Sequence, residues 1–135
     1  MVITDSMTRP PGWSGDHSIH VVVAEDNAIT RRTIELALIG LGWTFDSTAD
    51  GMAALSAVER AAQNLGLVIA DIRMPKMTGI ELVKAVKAIP SVALVPVVLM
   101  GSPQQESEAR AAGCDAFLAK PFSIPELMDR LESVA

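Results

Sequence analysis

Ile19-His20-Val21-Val22-Val23-Ala24-Glu25-Asp26-Asn27 is the stretch that decides the fold. Six apolar or weakly polar residues, three of them consecutive valines, run into two acids. β-Branched side chains suit a pleated strand. A continuous apolar run, instead of an alternation, marks a strand covered on both faces, as in the middle of a parallel sheet. The acids that end the run then sit at the carboxyl edge of that sheet.

Outward from this strand the pattern switches between helix and strand. Ile34, Ala37, Leu38 and Leu41 recur at helical spacing, with Gly40 and Gly42 expected to end the helix. Residues 44–48 read as a second strand. Ala54, Ala57, Val58 and Ala61 mark a second helix, with a stop near Asn64 and Gly66, and residues 67–70 a third strand. Leu82, Val83, Val86 and Ile89 mark a third helix stopped by Pro90, and residues 95–100 a fourth strand. Residues 104–112 read as a short helix ended by Gly113, and residues 116–119 as the fifth strand. Ser123 with Glu126 has capping-box spacing, Pro125 is tolerated early in a helix, and Ile124, Leu127, Met128 and Leu131 supply the last apolar stripe. Five alternations predict a three-layer α/β sandwich, (βα)5, on a parallel sheet. Right-handed crossovers favour the strand order 2-1-3-4-5, which places ligands beyond the carboxyl ends at the switch between strands 1 and 3.

The chain has 135 residues, half of them apolar, which is one domain with a sizeable core. Eleven basic and 16 acidic residues leave a net charge of −5, and no Lys/Arg cluster supports nucleic-acid binding. Residues 1–18 are polar, hold Pro10, Pro11, Gly12 and Gly15, and show no sustained period, so they read as a flexible leader before a domain over residues 19–135. Trp13 within it reads as a loosely packed tail residue. Cys114, the only cysteine, reads as a small apolar residue in a reducing compartment. The N-terminus lacks a signal-peptide pattern, and the apolar run over residues 92–100 contains Pro96 and is too short for a bilayer. The expectation is a soluble cytoplasmic chain with no membrane contact.

The chemistry gathers at the predicted carboxyl edge. Glu25 and Asp26 follow the first strand, Asp71 ends the third, Gly101 and Ser102 follow the fourth, and Lys120 follows the fifth. Adjacent strands lie about 5 Å apart, so the three carboxylates should converge. Two like charges at about 4 Å repel by roughly 1 kcal/mol in water and about 4 kcal/mol at an effective dielectric of 20. An all-oxygen cluster of this kind suits a hard divalent cation such as Mg²⁺. Lys120 adds a compact positive charge able to bind phosphate. A nucleophile beside cations that hold the equatorial oxygens is what phosphoryl transfer needs, and Asp71 is the candidate nucleophile.

These landmarks resemble the receiver domains of bacterial two-component response regulators. The resemblance spans residues 19–134, through Val21-Val22-Val23-Ala24-Glu25-Asp26-Asn27, Asp71-Ile72-Arg73-Met74-Pro75-Lys76-Met77-Thr78-Gly79 and Phe117-Leu118-Ala119-Lys120-Pro121-Phe122. It implies a flavodoxin-like fold, Glu25 and Asp26 as a metal-binding acidic pair, Asp71 as phosphoacceptor and the Arg73 backbone carbonyl as a further Mg²⁺ ligand. It implies that Lys120 pairs with the phosphoryl group and that the Lys120-Pro121 peptide is cis, which only proline makes cheap. Gly79 is expected at a turn needing φ > 0. The implied donor is a histidine kinase or a histidine phosphotransfer protein, with a downstream protein target. Such a domain catalyses its own phosphorylation and dephosphorylation and is no ordinary enzyme.

Three departures stand out. The family places a Ser or Thr hydroxyl directly after the fourth strand, where this chain has Gly101, with Ser102 one position late. Either the loop shifts to bring Ser102 in, or Gly101 leaves that hydrogen bond unmade. The span from Gly101 to Lys120 is short by roughly one helical turn. Phe117 stands at the switch aromatic and has no hydroxyl. These touch the coupling more than phosphate acceptance. A pseudo-receiver that only binds proteins is the main alternative, opposed by the intact set Glu25, Asp26, Asp71 and Lys120. An aspartyl phosphatase would want an acid where Arg73 stands, and a flavin phosphate would be repelled by the acids after the first strand.

Overall fold

Strands and helices alternate along residues 19–135, which the computed structural model describes; the leader expected over residues 1–18, with Trp13, lies outside the described residues. In chain order they are β1 (His20–Ala24), α1 (Ala28–Leu41), β2 (Thr44–Thr48), α2 (Gly51–Arg60), β3 (Leu65–Asp71), α3 (Gly79–Lys87), β4 (Val97–Gly101), α4 (Glu106–Ala112), β5 (Ala116–Ala119) and α5 (Ile124–Val134). A 3₁₀ turn, Pro103–Gln105, leads into α4. The sheet is parallel throughout, in the order β2-β1-β3-β4-β5.

The continuous apolar runs divide by the period of two along a strand. Val21, Val23, Leu67, Ile69, Val98, Met100 and Leu118 face one layer, built on Ile34 and Leu38 of α1 and Leu127 and Leu131 of α5. Val22, Ala24, Val68, Ala70, Leu99 and Phe117 face the other, built on Ala54 and Val58 of α2, Leu82, Val83 and Val86 of α3, and Ala109 of α4. Full burial of side chains such as Ile34, Leu38, Leu82 and Leu127 stabilises by about 1.5–3 kcal/mol each. Among the described residues no helix is long and apolar enough to cross a membrane.

Local chemistry sets the helix ends. Asn27 caps α1 by accepting from Thr30 N at 2.9 Å, and Asp50 caps α2 by accepting from Ala53 N at 2.8 Å. Thr78 with Glu81 and Ser123 with Glu126 form capping boxes on α3 and α5. Gly42, left-handed at φ 78°, ends α1, whereas Gly40 lies inside that helix.

Gly66 does not stop α2. It lies in β3, where the register against β1 slips between His20 and Val21, a bulge that a missing Cβ accommodates. The fourth strand starts at Val97, not at residue 95, and Gly101 is its last residue instead of the first loop residue. Gly79 is not at a positive-φ turn: it is the first residue of α3, and the positive-φ positions include Lys76 at φ 69° instead. Its lack of a side chain serves close packing. A Cβ there would run into the Asp71 carbonyl and come within 2.9 Å of Ile72 Cα.

Candidate functional site

β1 and β3 are neighbours with Ala24 opposite Ala70, so their next residues, Glu25 and Asp71, emerge side by side. One carboxylate oxygen from each of Glu25, Asp26 and Asp71 lies within 4.8 Å of the others. Glu25 is fully buried, Asp71 is 7% exposed and Asp26 is open to solvent. β4 follows with Met100 opposite Asp71, then β5 with Ala119 opposite Gly101. Lys120 leaves the end of β5 and reaches back across the edge. Its Nζ donates to Glu25 Oε1 at 2.6 Å and to Asp71 Oδ2 at 2.8 Å.

The remaining bonds hold the acids in place. Asn27 N donates to Glu25 Oε2 at 3.1 Å, and Arg31 Nη1 donates to the Glu25 carbonyl at 2.9 Å. Arg73 N donates to Asp71 Oδ1 at 3.3 Å. Gly79 N donates to the Ile72 carbonyl at 2.9 Å, tying the loop after β3 back to the strand end. Burial raises the Glu25 carboxyl above its ordinary value, against the lowering by the Lys120 and Asn27 hydrogen bonds, with the Asp71 charge adding to the rise. Desolvation pulls Lys120 down, but its bonds to Asp71 and Glu25 and their charges outweigh this and leave it raised. Lys120 therefore stays protonated between two acids. The donor set is oxygen only, one acid is open to solvent, and a single lysine opposes three carboxylates, which fits a hard divalent cation bound beside Asp26.

The comparisons with known proteins point one way. The model of the response regulator receiver domain family matches residues 21–132. The chain belongs to the response regulator receiver domain family. This receiver domain is 30% identical over 118 residues to the chemotaxis protein CheY of Pseudomonas aeruginosa, covering 84% of this chain and 94% of that one. Its fold matches the chemotaxis response regulator CheY4 of Vibrio cholerae with a TM-score of 0.80 at 30% identity, over 87% of this chain and 99% of that one. It also matches the receiver domain of a sensor histidine kinase from Pseudomonas aeruginosa, whose structure has a magnesium ion coordinated in the active-site cleft. There the TM-score is 0.77 at 27% identity, over 87% of this chain and 97% of that one. The receiver domain spans about half the length, or less, of the first curated relatives it matches.

Each residue singled out in the sequence has a place. Glu25, Asp26, Asp71 and Lys120 come together. Arg73 is exposed beside Asp71, and the Lys120-Pro121 peptide is cis. Phe117 is 3% exposed among the residues packed under α2, α3 and α4, and its carbonyl accepts from Arg130 Nε at 3.1 Å. Ser102 lies just outside β4 at the N-cap of the 3₁₀ turn, and its backbone N–H donates to Gln105 Oε1 at 2.9 Å. Arg31 and Gln105 were not singled out. Arg31 carries no motif in sequence. Gln105 does, because Ser102-Pro103-Gln104-Gln105 has the S-x-x-Q spacing of a capping box.

Proposed function

We propose that this receiver domain accepts a phosphoryl group on Asp71 from the phosphohistidine of a histidine kinase or histidine phosphotransfer protein, and signals to a downstream protein by a conformational change or onward transfer. The observation that carries this reading is the cluster of Glu25, Asp26 and Asp71 within 4.8 Å, with Lys120 bonded to the buried acid and to Asp71.

Glu25, Asp26, Asp71 and the Arg73 backbone carbonyl would hold Mg²⁺, which when bound neutralises charge on the phosphoryl oxygens. The chain's own part is positioning. A carboxylate oxygen of Asp71 attacks phosphorus, the bond from phosphorus to the imidazole nitrogen breaks, and the imidazole leaves with the electron pair. Lys120, already 2.8 Å from Asp71 Oδ2, exchanges that contact for a phosphoryl oxygen. Gly101, at the end of β4, and Ser102 after it border the space where the group would sit. Water later hydrolyses the acyl phosphate. Phe117, buried on the face under α4, would respond by packing alone.

The test is uptake from acetyl phosphate, read by mass spectrometry of the intact chain. One phosphoryl group should add with Mg²⁺ present, none in excess EDTA, and none in Asp71→Asn. A wild-type chain that stays unmodified by acetyl phosphate and by a phosphohistidine donor refutes the reading and leaves a phosphorylation-independent interaction module.

A further inference from the structure

Gly101 removes a side chain from the end of β4, and another group fills the space. A Cβ built on Gly101 would collide with Gln105 Oε1 and lie 3.1 Å from Ile72 Cδ1. The Gln105 carboxamide is thus folded back over the strand end. Only Ser102 separates β4 from the 3₁₀ turn that carries Gln105, so this short connection holds it there. Ser102 N donates to Gln105 Oε1 at 2.9 Å, and Gln105 N donates to the Ser102 carbonyl at 2.9 Å.

That bonding fixes which way the amide points. An N–H can only be satisfied by the amide oxygen, so Oε1 is committed to Ser102 and the Nε2 protons face away from it. Among the described residues those protons have no acceptor. β4 is the strand between β3, which carries Asp71, and β5, which leads to Lys120. Lys120 N donates to the Gly101 carbonyl at 2.8 Å. A group bonded to Asp71 and paired with Lys120 would reach across the end of β4, the strand end over which the Gln105 carboxamide is folded.

We infer that Gln105 donates an amide hydrogen bond to the phosphoryl group on Asp71, in the place a hydroxyl would hold if residue 101 had one. This rests on the phosphoacceptor reading. The transfer with acetyl phosphate balances without a proton: Asp71 oxygen bonds to phosphorus, the bond from phosphorus to the acetyl oxygen breaks, and acetate leaves as the anion. Gln105 Nε2 stabilises charge on an equatorial oxygen throughout and is neither consumed nor ionised.

The experiment compares phosphorylation rates by acetyl phosphate at fixed Mg²⁺ in wild type, Gln105→Ala, Gln105→Glu and Ser102→Ala. Loss of one hydrogen bond to a charged oxygen slows Gln105→Ala about tenfold to a hundredfold. Gln105→Glu keeps the acceptor for Ser102 N, so it preserves the turn, yet is slowed at least as much. Ser102→Ala is slowed less than either. A second readout is the Gln105 side-chain amide signal in ¹⁵N NMR, which moves when beryllium fluoride is added with Mg²⁺. If Ser102→Ala is the slowest variant, the hydroxyl does this work and the inference is overturned. Wild-type rates in both Gln105 variants, with an unmoved amide signal, overturn it while phosphoacceptance stands. A wild-type chain that takes no phosphoryl group at all brings down both.

Discussion

Glu25 is a carboxyl with no access to solvent, and its stability in the fold depends on one lysine. Its Oε1 is 2.6 Å from Lys120 Nζ, and its Oε2 accepts from Asn27 N. Removing one partner of such a pair is more damaging than never having built it, because the charge left behind stays buried. Lys120→Met should therefore lower the melting temperature measured in EDTA, and millimolar Mg²⁺ should raise it by more than it raises wild type. Equal melting temperatures for Lys120→Met and wild type in EDTA contradict this account of the site. At this scale the acids and the lysine were legible from residue type and position at strand ends. Their division of labour was not. The fully buried Glu25 and the exposed Asp26 are adjacent in sequence, and only the direction each side chain takes off β1 separates them.

The elements form where periodicity and caps agree, and the glycines show where sequence reading stops. Gly79 and Gly40 both lie in helices but have opposite surroundings. A Cβ on Gly79 meets the Asp71 carbonyl and Ile72 Cα, which are backbone and cannot move aside; one on Gly40 meets nothing within 4 Å. Gly79→Ala should lose about 1–3 kcal/mol from overpacking, with a matching fall in the denaturant midpoint. Gly40→Ala should gain about 0.5–1 kcal/mol, because it removes the entropic penalty of glycine inside a helix. Chemical denaturation of both variants checks the pair, and a stabilised Gly79→Ala would show that α3 does not press on the end of β3. The same limit explains Gly66, whose role as a bulge depends on the register against β1 and leaves no mark in a single strand's pattern. The 3₁₀ turn before α4 was missed for a different reason. Its capping spacing was visible, but where Gln105 lands depends on how closely the turn folds over β4.

At the scale of the whole molecule, the sheet is a device for bringing distant residues to one edge. Lys120 is 95 residues from Glu25 along the chain and hydrogen-bonded to it in the fold. A cation held by Glu25, Asp26 and Asp71, as proposed, would draw on residues from two strands brought together only in the fold, and would stabilise the folded chain by mass action. Millimolar Mg²⁺ should raise the wild-type melting temperature, and Asp26→Asn should abolish most of the rise. An unchanged wild-type value in a thermal melt counts against the metal site. The sequence by itself determined the alternation of strands and helices and the position of Glu25, Asp26, Asp71 and Lys120 at strand ends, because apolar period and strand-end position are local properties of the chain, and the right-handed crossover rule then gave the parallel sheet and its order. The tertiary structure alone decided that Lys120 bonds to the buried acid, that Gly79 serves a close approach instead of a turn, and that Gln105 fills the space over Gly101. Each of these is a distance between segments far apart or folded back on one another, and such distances are set only when the two faces of the sheet pack together.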